Sequence, residues 1–150
     1  MHTRSGVMGG LPAGHREQLA ALARQRFFPM GARIFEEDGP ADRFWTVHSG
    51  TVSLDLRVPG RRLPVVMESL GPGELLGWSA LVPPHQWHMG AEAASPVRAE
   101  EFDIEAVRRL CAADPELDLA LCHYVSRVVA HRLRASRNRL LDLMAAHGIL

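Results

Sequence analysis

From Arg26 onward the chain is cut into short apolar runs, each closed by a turn signal: RFFPMG, ARIFEEDGP, RFWTVHSG, TVSLDLRVPG and LPVVMESLGPG follow in order. Recurrent turns at this spacing predict a small antiparallel barrel or jelly roll. In TVSLDLRV, Val52, Leu54, Leu56 and Val58 alternate with Thr51, Ser53, Asp55 and Arg57, the period of a strand with one face buried and one face wet. MGAEAASPVRAEEFD supplies two more short strands, broken at Ser95-Pro96.

Helical patterns flank these strands. HREQLAALARQR, from His15 to Arg26, places Leu19, Leu22 and Ala23 on one face of a short amphipathic helix. Asp103 is positioned to cap a helix over IEAVRRLCAA, and Pro115 opens a much longer one from Glu116 to about His147. The long helix carries two apolar stripes. Leu117, Leu121, Tyr124 and Val128 suit packing on the barrel. Leu119, Cys122, Ser126, Val129, Leu133, Ser136, Leu140 and Leu143 step by three and four, the spacing of a coiled-coil seam. One small barrel cannot cover both, so residues 116–147 are expected to pair two chains into a homodimer.

At 150 residues the sequence fits a single domain over 1–150 that buries a core without disulfide or metal staples. No apolar run approaches the roughly 18 residues of a membrane span. MHTRSGVMGG lacks the apolar region of a signal peptide, so residues 1–10 read as a flexible leader and the setting as cytoplasmic. The 17 basic residues are all arginines and are balanced by 17 acids, which gives no global drive toward nucleic acid. Cys111 and Cys122 match no zinc spacing and read as two buried thiols.

The order helix, barrel with FWTVHSGTVSLDL, turn LGPGELLG, strands in AEAASPVRAEEFD and a long closing helix resembles the cyclic-nucleotide-binding domain family, over nearly the whole chain from Leu11. The resemblance implies an α+β fold: an antiparallel jelly-roll β-barrel flanked by an N-terminal helix and two C-terminal helices, the last one long. It also implies a small-molecule or nucleotide-like ligand at a phosphate-binding cassette after Gly77. In that family a Glu of the cassette holds the ribose hydroxyl and an Arg pairs with the cyclic phosphate. Here Trp78 matches the Glu, Trp87 matches the Arg when one gap is allowed, and His88 follows where the family has Ser or Thr.

Gly77, Ser79, Ala80 and Leu81 keep the small-residue segment whose backbone N–H groups complete the anion site. Loss of a desolvated arginine–phosphate contact removes on the order of 2–5 kcal/mol of binding. Two outcomes follow for the tryptophans: they stack on a flat or apolar ligand, or they fill the pocket themselves. On the long helix, the resemblance puts Ser136 at the base-reading position with Arg137 after it; Ser136 is also small enough to let two helices approach closely.

Other constellations carry less. His85 and His88 lack a third metal ligand, no cofactor is expected, and the His-x-His and Glu set of an enzymatic cupin is missing. Arg127, Arg132, Arg134, Arg137 and Arg139 read as a solvated helix face, with a surface for phosphate, an acidic partner or nucleic acid as the alternative. The chain stops at Leu150 without residues for a recognition helix, so direct DNA binding is not expected. The expected function is a non-enzymatic sensory or regulatory domain whose ligand is other than cyclic AMP or whose nucleotide affinity is weak. The alternative is a ligand-free homodimeric module, its pocket plugged by tryptophan, that docks another protein.

Overall fold

Strands form where the apolar runs were found, and β1 (Arg24–Phe28), β3 (Arg43–Ser49), β5 (Val65–Leu70) and β6 (Leu75–Leu76) each stop against a proline or a glycine. With β2 (Arg33–Phe35), β4 (Val52–Leu56), β7 (Gly90–Ala93) and β8 (Val97–Asp103) they build two four-stranded sheets, ordered β1-β8-β3-β6 and β2-β7-β4-β5. Every pairing is antiparallel. The architecture is the α+β jelly roll expected, with one helix before the strands and two after them. This is a computed structural model that describes residues 10–150; apart from Gly10, the expected leader lies outside the described residues.

The core is filled by Phe44, Val47, Val52, Leu54, Val97, Ala99 and Phe102, with the Phe44 and Phe102 rings stacked at 4.9 Å. The first helix, α1, spans Ala13–Ala20 and is shorter than its sequence pattern. Arg24, Gln25 and Arg26 leave the helical pattern because β8 recruits them as strand partners of Glu101, Glu100 and Ala99. Leu19 is fully buried, and Leu22 and Ala23 reach the core from the turn after the helix.

The second helix, α2 (Ile104–Ala113), is capped as expected: the Asp103 carboxylate accepts from the Ala106 N–H at 3.0 Å. The third, α3 (Pro115–Ala146), starts with Pro115 in its first turn and with the Asp114 carboxylate accepting from the Leu117 N–H at 3.2 Å. Its inner stripe is Leu117, Leu121, Tyr124 and Val125, with Val128 half-buried. Most of the outer stripe is bare: Leu119, Leu133 and Leu140 are 58%, 70% and 57% exposed, whereas Val129 is half-buried against the core. Cys122 belongs to that stripe and is exposed, so the expectation of two buried thiols holds in part for half-buried Cys111 alone, whose thiol burial pushes up.

Asp55 departs from the simple alternation of β4. It is buried, and Arg33 of β2 reaches it with a 2.6 Å ion pair while also meeting Glu36 at 2.8 Å. Gly90 lies between them as the β7 partner of Asp55; a Cβ there would strike both the guanidinium and the carboxylate. The missing side chain lets the pair lie flat across β7. Removing one member of such a pair strands the other, so Asp55→Ala is expected to lose about 2–3 kcal/mol in chemical denaturation. A loss below the scatter of surface substitutions would show that the ion pair contributes nothing net.

Candidate ligand site

Gly77 ends β6 at φ +92°, a left-handed conformation that suits glycine, and a Cβ there would also meet the Trp87 ring at 3.0 Å. The reversal opens a 3-10 turn, Trp78–Leu81, in which the Ala80 N–H donates to the Gly77 carbonyl at 3.1 Å. Ser79 and Ala80 are buried and Leu81 is half-buried. The proline corner folds back on this turn: the His85 N–H donates to the Val82 carbonyl at 2.9 Å, and the His85 Nδ1–H donates to the Ala80 carbonyl at 3.0 Å.

Trp87 is then pinned by its backbone. Its N–H donates to the Gly39 carbonyl and its carbonyl accepts from the Asp38 N–H, both at 2.8 Å. Held there, the indole is 5% exposed and stacks on Phe35 with ring centroids 3.8 Å apart. Trp45 lies 5.9 Å from Trp87 and 5.7 Å from Phe35, and Phe28 meets Trp45 edge-on at 6.2 Å. The result is a column of four aromatic rings inside the roll. Its polar end is secured too: the Trp45 Nε1–H donates to buried Glu101 at 2.9 Å, and Arg26 donates to the same oxygen at 2.8 Å.

The two tryptophans of the segment from Gly77 to His88 therefore go to different places. Trp87 joins the core, whereas Trp78 is half-buried and faces the exposed His88 with ring centroids 5.5 Å apart. Ser136 and Arg137 are exposed on α3; Arg137 donates to the Asn138 side chain at 3.1 Å. Among the hydrogen bonds of the described residues none joins Ser136 or Arg137 to the segment from Gly77 to His88. The described residues also hold no group of three or more His, Cys, Asp or Glu side chains placed for a metal ion.

One member of the arginine run is only partly solvated. Arg132 is half-buried and donates from Nη2 to the Leu75 carbonyl of β6, which ties α3 to the strand leading into Gly77. Burial pushes its guanidinium down, against the opposing pull of Glu68 and Glu74. Nothing in the sequence marks Arg132 off from its neighbours except its spacing of eight from Tyr124, which places it near the buried stripe. Phe35 and Trp45 were equally silent, because an aromatic in a short strand is ordinary core.

No helix of the described residues is long and apolar enough to cross a membrane. A cyclic nucleotide-binding domain model matches residues 25–114. The CRP-like cAMP-activated global transcriptional regulator of Mycobacterium tuberculosis is 32% identical over 144 residues, covering 94% of this chain and 61% of the regulator. The chain thus spans about three fifths of the length of that curated relative. The N-terminal domain of a transcriptional regulator from Streptomyces coelicolor superposes with a TM-score of 0.69 at 25% identity, over 90% of this chain and 93% of that one. A cyclic nucleotide-binding domain from Methylobacillus flagellatus shares the fold with a TM-score of 0.78 at 18% identity, over 86% of this chain and 72% of that one. With the roll, the 3-10 turn after Gly77 and the long closing helix in place, these matches establish that the chain belongs to the cyclic nucleotide-binding domain family.

Proposed function

We propose that this chain is a non-catalytic, homodimeric regulatory domain of the cytoplasm whose cassette no longer takes the family's ordinary cyclic nucleotides. The observation that carries the reading is the burial of Trp87, which stands where the resemblance puts the phosphate-pairing arginine and is stacked on Phe35. An indole in that position offers no charge to a phosphate and occupies room a purine nucleotide needs. The half-buried Trp78 beside exposed His88 supports a remodelled wall that still faces solvent, suited to a flat or apolar small molecule. Trp87 itself supports the second reading, a ligand-free module that signals through a docked protein. Likeness to a transcriptional regulator, which must reach DNA, supports the cytoplasmic setting.

Calorimetric titration with cyclic AMP and with cyclic GMP tests the proposal. The parent protein is expected to give no binding heat with either nucleotide at submillimolar concentration. Trp78→Glu, with or without Trp87→Arg, is the comparison, each variant first checked for folding by thermal melting. Micromolar binding by the parent would show that backbone N–H groups and another arginine suffice, and the site assignment would fall.

A further inference from the structure

A cavity lies between the turn at Gly73–Leu75 and the middle of α3. Its volume is about 390 Å³, and its lining shares no residue with the segment from Gly77 to His88. The helix contributes Tyr124, Arg127, His131 and Arg132; the facing turn contributes one acid, Glu74. That carboxylate is partly committed, since its Oε2 accepts from the Gly71 N–H at 2.9 Å.

The cations are under-used by comparison. Arg132 has five N–H donors and spends one on the Leu75 carbonyl, with no carboxylate within 4.0 Å among the described residues. Arg127 likewise has one bond, from Nη2 to the Gly10 carbonyl at 3.4 Å. The same lining includes Tyr124, 5% exposed, whose buried hydroxyl finds no hydrogen-bond partner among the described residues. A buried hydroxyl without a partner is rare, and here it lies on a wall that also carries two guanidinium groups with free donors.

We infer that this cavity is a binding site for a small anion of phosphate or carboxylate chemistry, gripped by Arg127 and Arg132 and completed by the Tyr124 hydroxyl as a neutral donor. Burial pushes the Tyr124 phenol up, so it stays protonated and able to donate at physiological pH. Because Arg132 is also the tie between α3 and β6, an anion that draws its guanidinium away from the Leu75 carbonyl acts on the attachment of the dimer helix. The inference stands apart from the cassette reading, since a failure to bind anions here leaves the exclusion of cyclic nucleotides untouched.

Tyr124 is the single tyrosine of the sequence, so selective labelling of tyrosine rings gives one signal to follow by nuclear magnetic resonance. The full chain is titrated with inorganic phosphate in one arm and acetate in another, against sodium chloride at matched ionic strength. A saturable shift beyond the chloride control is expected in one arm or both, and the stronger arm identifies the anion class. Arg132→Met is expected to raise the half-saturation concentration by about tenfold. Should that variant melt early, Arg127→Met changes an exposed residue and serves in its place, with a weaker loss in the same direction. No saturable shift in either arm, or equal half-saturation in the parent and a folded arginine variant, overturns the inference.

Discussion

Trp87→Ala is expected to destabilise the protein by about 3–5 kcal/mol, which is a large share of a total of roughly 5–15 kcal/mol for a domain of this size. The indole contacts Phe35 face to face at 3.8 Å, fills the space in front of Gly77, and continues the ring column to Trp45 and Phe28. Alanine leaves a cavity lined by aromatic rings and held open by two sheets whose hydrogen bonds prevent collapse. Trp78→Ala makes the contrast, since Trp78 is half-buried against an exposed histidine and its loss is expected to cost less than about 1.5 kcal/mol. Denaturant titration of both variants distinguishes them by midpoint. A mild effect at Trp87 together with a severe one at Trp78 would reverse the roles assigned to the two residues.

Joint substitution of Leu133 and Leu140 by glutamate is expected to convert the proposed dimer to monomer. Both side chains project from α3 into solvent in the single chain, at 70% and 57% exposure, on a stripe that continues through Leu119 and Leu143. In a twofold pair each substitution acts twice. Four leucines withdrawn from a seam then forgo roughly 6 kcal/mol or more of apolar burial, before the repulsion of like charges is counted. That exceeds what a micromolar dimer has to spare. The monomer should still melt as a folded protein, because neither leucine belongs to the core. Sedimentation or scattering at several concentrations reads the outcome, and a parent that is monomeric throughout removes the dimer from the proposal.

The features legible in the sequence were those set by local rules. The cap at Asp103, the start at Pro115, the break at Ser95-Pro96 and the two stripes of α3 each follow from a side chain acting on its near neighbours in the chain. Features set by distant neighbours were not legible. Arg24 to Arg26 read as helix until β8 is there to pair with them. Asp55 reads as a wet position until Gly90 lets Arg33 lie across it. The segment from Gly77 to His88 divides the same way. Its turn after Gly77 was visible, whereas the parting of Trp78 and Trp87 depends on the loop Asp38–Gly39, which holds the Trp87 backbone from a separate part of the chain.

The neighbour relation of β1 and β8 has a consequence for how the chain is made. Arg24 pairs with Glu101 and Phe28 with Val97, so the first strand to leave a ribosome cannot close its sheet until nearly all the strands have been synthesised. At roughly 5–20 residues per second that is a wait of several seconds, far longer than hairpin formation takes. During this interval β4 and β5 can pair at once, while β1 offers an open edge to any other chain. Phe27 and Phe28 make that edge adhesive; Arg24 and Arg26, charged and early in the same strand, act as its guard until Glu100 and Glu101 arrive.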